Sequence, residues 1–233
     1  MQSQDWCQTG HGGVGGEYVP RNNTTVKSSD MTTQTIRDPK TDHLLTSENS
    51  ALVLIDYQPS LIEGTKSLPR EALINNVVAL AKTAKMFNLP VVLSTIGVNA
   101  GYQEETVPEL RSVLDGVEPI DRTAVNAWEQ PEFRAAIEAT GRRKLIMAGL
   151  WTEVCLVFPA LDLVREGYDV YAVSDASGGT SQDAHERGMQ RVIQAGVVPV
   201  TWEAVMAELG RLYKGDYIGS FVNIMQEHLP KSS

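Results

Sequence analysis

Two residues of this chain pair a reactive side chain with a position where folded proteins present reactive groups. Cys155 closes the segment Gly149-Leu-Trp-Thr-Glu-Val-Cys155, which leads from an apolar run at 144–148 into helical spacing over 154–165. A thiol just inside a helix meets unpaired backbone N–H groups and the positive end of the dipole. Both favour the thiolate, the nucleophilic form of the group. The other common fate of a free cysteine is that of a small buried hydrophobe. Asp56 ends the apolar run Ala51-Leu-Val-Leu-Ile55. An acid there is either a turn-former and helix cap, or a carboxylate whose pKa burial tunes for general acid–base work. The segment Arg122-Thr-Ala-Val-Asn-Ala-Trp128 stands out beside these two.

These residues need a scaffold, and from Ser47 onward the sequence alternates between two patterns. Apolar runs at 51–55, 91–96, 144–148, 168–174 and 197–201 read as strands, the first wholly apolar as a strand buried on both faces is. Between them Leu73, Val77, Leu80, Ala84 and Phe87 recur at helical steps behind Pro69, and Pro131 opens a helix ended by Gly141. A short helix around 108–114 interrupts an otherwise loop-like stretch over 97–121. Further helices are expected over 182–195, 203–213 and 218–228. About five strands alternating with helices imply right-handed βαβ units and an open parallel sheet, a three-layer α/β/α Rossmann-like fold with a C-terminal helical extension. Ligands bind such sheets beyond the carboxyl ends of the strands, where Asp56, the turn after Ala148 and Asp175 fall.

Residues 1–47 lack either period and are rich in Gln, Thr, Ser, Asn and Gly, so they are expected to be a disordered extension preceding a domain over 48–233. Met31 within it leaves open whether the first thirty residues are a natural extension or an upstream start. The chain carries 20 Lys plus Arg against 29 Asp plus Glu, for a net charge of −9. Without a basic block, nucleic acid and anionic membrane are not expected as partners. Apolar runs of about five residues fall far short of a bilayer span, and no signal sequence is visible, so the expected location is cytoplasmic. There are two cysteines, and with Cys7 in the extension a structural disulfide is not expected.

Together the three segments resemble the isochorismatase-like cysteine hydrolases over roughly residues 47–202, and Asn126-Ala127-Trp128 with Thr152-Glu-Val-Cys155 is most similar to the YcaC-like subgroup, whose substrates are unassigned. Family members place an Asp at the end of the first strand, a Lys four residues before a Ser/Asn-Ala-aromatic triplet, and a Cys ending Gly-x-x-Thr-Asp/Glu-x-Cys. This chain departs once, with Arg122 where the family has Lys. A guanidinium does not shuttle protons, yet it can stabilise a thiolate and orient Asp56. The alternative for Arg122 is a surface ion pair on an exposed loop.

The resemblance implies a cysteine amidohydrolase acting on a small carboxamide or related amide. Cys155 is the implied nucleophile, Asp56 the proton carrier, and the N–H groups of Trp151 and Cys155 the oxyanion donors behind a cis Leu150–Trp151 peptide. Vinyl-ether hydrolysis of isochorismate is less compatible, because family members with that chemistry lack the cysteine. A retired site serving as a binding module is the non-catalytic alternative. The resemblance makes Thr152, Asn126 and Trp128, with Trp151, the candidate oxyanion and substrate-binding residues, although by position alone Thr152 and Glu153 fit capping and dipole matching better than catalysis. Trp128, Trp151, Tyr57 and Tyr102 would suit an aromatic wall around a small acyl group, or core packing.

No cofactor or metal is expected. Nicotinamidases of the superfamily carry an Asp-x-His metal segment after the second strand, whereas residues 94–105 hold no histidine. His43, His185 and His228 are too widely spaced to form a ligand pair, and His185 reads as a structural histidine. Gly178-Gly179 lacks the spacing of a phosphate loop and reads as a mobile loop. A homo-oligomer is implied by the resemblance and by the apolar face of Ile218, Phe221, Val222, Met225 and Leu229, which needs either a partner surface or the protein's own sheet.

Overall fold

The computed structural model describes residues 38–229. Most of the extension expected over 1–47, with Cys7 and Met31, lies outside the described residues. Residues 38–47, expected as its last part, are packed onto the domain. Leu45 is fully buried, its N–H donates to Glu208 at 2.6 Å, and Arg211 pairs with Asp42 at 2.5 Å.

Six strands form one parallel sheet in the order β3-β2-β1-β4-β5-β6. They are β1 (Ser50–Ile55), β2 (Val91–Ile96), β3 (Ile120–Arg122), β4 (Lys144–Gly149), β5 (Asp169–Val173) and β6 (Val198–Val200). Alternation along β1 sends Leu52 and Leu54 into one apolar layer and Ala51, Val53 and Ile55 into the other, as a period of two requires. The first layer is covered by α2 (Arg70–Met86), α3 (Pro108–Val113), α7 (Trp202–Gly210) and α8 (Ile218–His228); the second by α4 (Pro131–Ala139), α5 (Val157–Arg165) and α6 (Gln182–Gln194). A single turn of helix, α1 (Pro59–Gly64), follows β1.

The expectation of about five strands missed β3, in a stretch read as loop. Ile-Asp-Arg carries one apolar residue and no local strand signal; pairing with the edge of β2 makes it a strand, through Ser94 opposite Ile120 and Ile96 opposite Arg122. That pairing brings Arg122 to the carboxyl end of the sheet. There the strand order reverses between β1 and β4, with Ile55 opposite Gly149, and the crevice beyond such a reversal is where these folds bind ligands.

The apolar face of α8 packs on its own domain, so it supplies no argument for a partner. Phe221 and Ile224 join the layer built by α2 and α7. His228 fastens the helix end, its ring held between Asn75 Oδ1 at 2.8 Å and Lys82 Nζ at 3.0 Å.

Candidate active site

Asp56 is the first residue beyond β1 and takes a left-handed backbone conformation, with φ 66°. Its N–H donates to Ser94 on β2, and its Oδ2 accepts from Arg122 Nη2 at 2.5 Å, both side chains being fully buried. Arg122 also donates from Nη1 to the Ala124 carbonyl at 3.0 Å. It is therefore an interior cation fixed by two acceptors, and the surface ion pair that its loop-like sequence allowed is not formed. Asp56 Oδ1 has no hydrogen-bond partner, and the Cys155 thiol is near enough to this carboxylate to lower its pKa.

Burial raises the Asp56 carboxyl to about 6, against the pull of Arg122 in the opposite direction. Burial also pushes the Cys155 thiol up to about 12, and the negative charge of Asp56 adds to it. A helix N-terminus was expected to lower that thiol instead. Two structural features reverse the balance. Cys155 is only 7% exposed, and it lies in a π-helical turn over Thr152–Leu156, ahead of α5. The N–H groups of Val154, Cys155 and Leu156 all point at the Trp151 carbonyl, at 3.0, 2.8 and 3.4 Å, so they are turned away from the sulfur. Above a pH of about 6 the resting pair is thus a thiol beside an ionised base.

The turn itself begins at a cis Leu150–Trp151 peptide. The Trp151 indole donates to the Leu61 carbonyl at 2.9 Å and lies against Gly64, where a Cβ would come within 2.5 Å of the ring. Thr152 and Glu153 make no capping bond. Thr152 instead donates its N–H to the Gly178 carbonyl at 2.9 Å and meets His185 Nδ1 through its hydroxyl at 2.8 Å. Glu153 holds Thr180. The Gly178-Gly179 stretch, expected as a mobile loop, is tied on both sides: Lys66 donates to the Gly179 carbonyl, and the Gly179 N–H donates to Ser67 Oγ at 2.9 Å.

Asn126 and Trp128 belong to the loop that follows β3. Asn126 accepts from the Trp128 N–H at 3.1 Å and donates to Asp162 at 2.8 Å, which fixes the loop after β3 to α5. Trp128 is buried in the same apolar layer as Cys155, with Arg134 over its ring at 4.6 Å. Of the other aromatics, Tyr57 is a core residue donating to the Ala176 carbonyl at 2.6 Å. Tyr102 is 84% exposed and forms no wall.

One structural residue went unnoticed in the sequence. Buried Gln58 donates to the carbonyls of Ile96 and Glu104 and accepts from the Ile96 N–H, tying the segment after Asp56 to the loop after β2. The signal available was a polar residue two positions beyond the acid of a buried strand. Among the described residues no group of three His, Cys, Asp or Glu side chains is placed to hold a metal ion. No described helix is long and apolar enough to cross a membrane.

Known proteins are similar to this chain in sequence and in fold. The family model of the Isochorismatase domain matches residues 50–204. The probable hydrolase YcaC of Escherichia coli K12 is 37% identical over 187 residues, covering 80% of this chain and 89% of that protein. YcaC from Pseudomonas aeruginosa superposes with a TM-score of 0.77 at 35% identity, over 82% of this chain and 94% of that one. The E. coli YcaC structure, an octameric hydrolase of unknown specificity, gives 0.77 at 36% identity, over 81% and 92%. With that domain model spanning β1 to α7 and YcaC similarity along most of its length, the chain belongs to the isochorismatase family of hydrolases and is YcaC-like within it.

Proposed function

We propose that the chain is a cysteine hydrolase that cleaves a small carboxamide or related amide through a thioester. The observation that carries this reading is the buried Asp56–Arg122 pair set against the Cys155 thiol. Asp56, ionised above about 6, takes the thiol proton as the sulfur attacks the carbonyl carbon. The oxyanion so formed is assigned to the N–H groups of Trp151 and Cys155, the second drawn from its bond to the Trp151 carbonyl. Protonated Asp56 returns the proton to the departing nitrogen, so that the C–N bond breaks and ammonia leaves. Water, deprotonated by Asp56, then cleaves the thioester, giving the acid and the free thiol. Arg122 stays charged throughout; it holds Asp56 and offsets the sulfur's negative charge, and all proton traffic passes through the carboxylate.

The YcaC of P. aeruginosa has been seen with covalent acrylamide, an electrophile at its vinyl carbon, and this supports a nucleophile in the site. A panel of small primary carboxamides should reveal one that releases ammonia, with kcat/KM rising with pH about a midpoint near 6 as Asp56 ionises. Mass spectrometry of the intact protein should show the acyl adduct. A panel with neither ammonia release nor adduct would set the proposal aside in favour of a retired site. We further propose a homo-oligomer, since the E. coli YcaC is an octamer; light scattering should return a mass of several chains, and a monomer at micromolar concentration would exclude it.

A further inference from the structure

We propose that Glu153 is a positioning residue for Cys155, locking the π turn that carries the nucleophile onto the loop after β5 so that the thiol stays aimed at Asp56. The inference rests on Cys155 as the reacting thiol. The turn is five residues long, has no side-chain cap, and hangs three N–H groups on one carbonyl. It needs fixing from outside: besides the Thr152 hydroxyl on His185, three hydrogen bonds tie it to the loop after β5. The Thr152 N–H reaches the Gly178 carbonyl at 2.9 Å. Glu153 Oε1 accepts from both the N–H and the hydroxyl of Thr180, at 3.0 and 2.7 Å. Turn and loop therefore grip each other at two points, three and two residues ahead of Cys155.

The surroundings are built to admit this carboxylate. A Cβ on Gly179 would lie 2.6 Å from Glu153 Oε2 and 2.8 Å from the His185 nitrogen, and one on Gly188 of α6 would lie 3.1 Å from Glu153 Cα. Glycine at both positions lets the loop and the helix close around Glu153. Its second oxygen, Oε2, is enclosed without a partner, an unfavourable state that an ordinary surface glutamate avoids by turning to water. The loop is in turn anchored by Ser67 and Lys66, so the grip leads back to the segment between α1 and α2. Asp56 and Arg122 are the charges that act on the Cys155 thiol. Glu153 therefore acts through geometry, and an uncharged acceptor in its place should serve.

Alkylation of Cys155 by acrylamide tests this without a known substrate, in the full chain carrying Cys7→Ser, followed by mass spectrometry across pH 5–10. In the parent the rate should follow ionisation of Asp56, with a midpoint of about 6. Glu153→Ala should slow alkylation at neutral pH by about tenfold or more and move the midpoint above about 8, toward that of an unassisted thiol. Glu153→Gln, which keeps the acceptor, should stay within about threefold of the parent. A Glu153→Ala protein with the parental rate and pH profile would overturn the proposal even if it melts at lower temperature, since a merely structural residue would change only the melt. Gln as slow as Ala would overturn it too, by showing that the charge matters. If Glu153→Ala fails to fold, Thr180→Val removes the hydroxyl donor from the same grip and must shift the profile in the same direction. A parental profile without a midpoint near 6 counts against Asp56 as the base, while the Ala-to-Gln comparison still decides the role of Glu153.

Discussion

Cys155→Ala is expected to fold as the parent does and to lose hydrolysis by roughly 10⁴-fold or more, the scale seen when a covalent nucleophile is removed. The folding half follows from size and surroundings. The side chain is 7% exposed and packed in the layer of Ile55, Trp128 and Leu156, where alanine removes one sulfur and adds no polar atom. The loss should be of order 1 kcal/mol, within the range for a small cavity. The catalytic half follows from the division of labour in the proposed mechanism, in which Asp56 serves only as a base and Arg122 has no proton to give. Circular dichroism and ammonia release measured on the same sample settle both halves. A folded alanine variant that hydrolyses at the parental rate would show that water is activated directly and that the thioester route is wrong.

The second large effect belongs to Arg122. Arg122→Met should destabilise the protein by about 3–5 kcal/mol near pH 8, the usual consequence of leaving a buried charge without its partner. In a chain of this size that is a fall of roughly 6–20 °C in Tm. Asp56 has no other strong donor to take the place of the guanidinium, since its remaining oxygen has no hydrogen-bond partner. Its pKa, held down in part by Arg122, would rise above 6 in the variant. A carboxyl raised in the folded state favours folding below its unfolded value and loses that contribution as pH rises through the folded one. The deficit should therefore be largest at pH 8 and shrink near pH 4, which urea unfolding at the two pH values reads directly. Arg122→Lys keeps the charge and should recover most of the loss. Equal stability of parent and Met variant at pH 8 would mean that the ion pair does not carry Asp56.

The fold was legible wherever local pattern and tertiary demand agree. Ala51 to Ile55 is apolar at every position because both faces of β1 are covered, and Pro131 with Phe133 and Ile137 marks α4 by the same logic. The placement of Asp56, Arg122 and Cys155 near one end of the sheet was legible too, because the carboxyl ends of the strands in an open parallel sheet converge on one crevice, and the structure pairs Asp56 with Arg122 there. What stayed hidden depends on contacts distant in sequence. Ile120–Arg122 becomes a strand only because β2 offers a free edge, and the depth at which Arg122 lies follows from that pairing. The thiol's pKa went the other way because enclosure and a neighbouring carboxylate outweigh the dipole of a turn whose N–H groups converge on one carbonyl. Packing of 38–47 and of α8 likewise depends on partners such as Glu208, Asn75 and Lys82 that no local window contains.

The left-handed backbone at Asp56 narrows what this position can become. Most side chains are disfavoured at φ 66°; glycine, asparagine and aspartate are the residues that enter the region readily. Two independent filters therefore act on one codon, one for a carboxylate and one for a tolerated backbone, and aspartate alone passes both. Glutamate meets the first and fails the second, so the homologous acid is a poor substitute. Asparagine keeps the chain path and loses the carboxylate, so on the proposed mechanism a single mutational step separates a working site from one that binds without turning over.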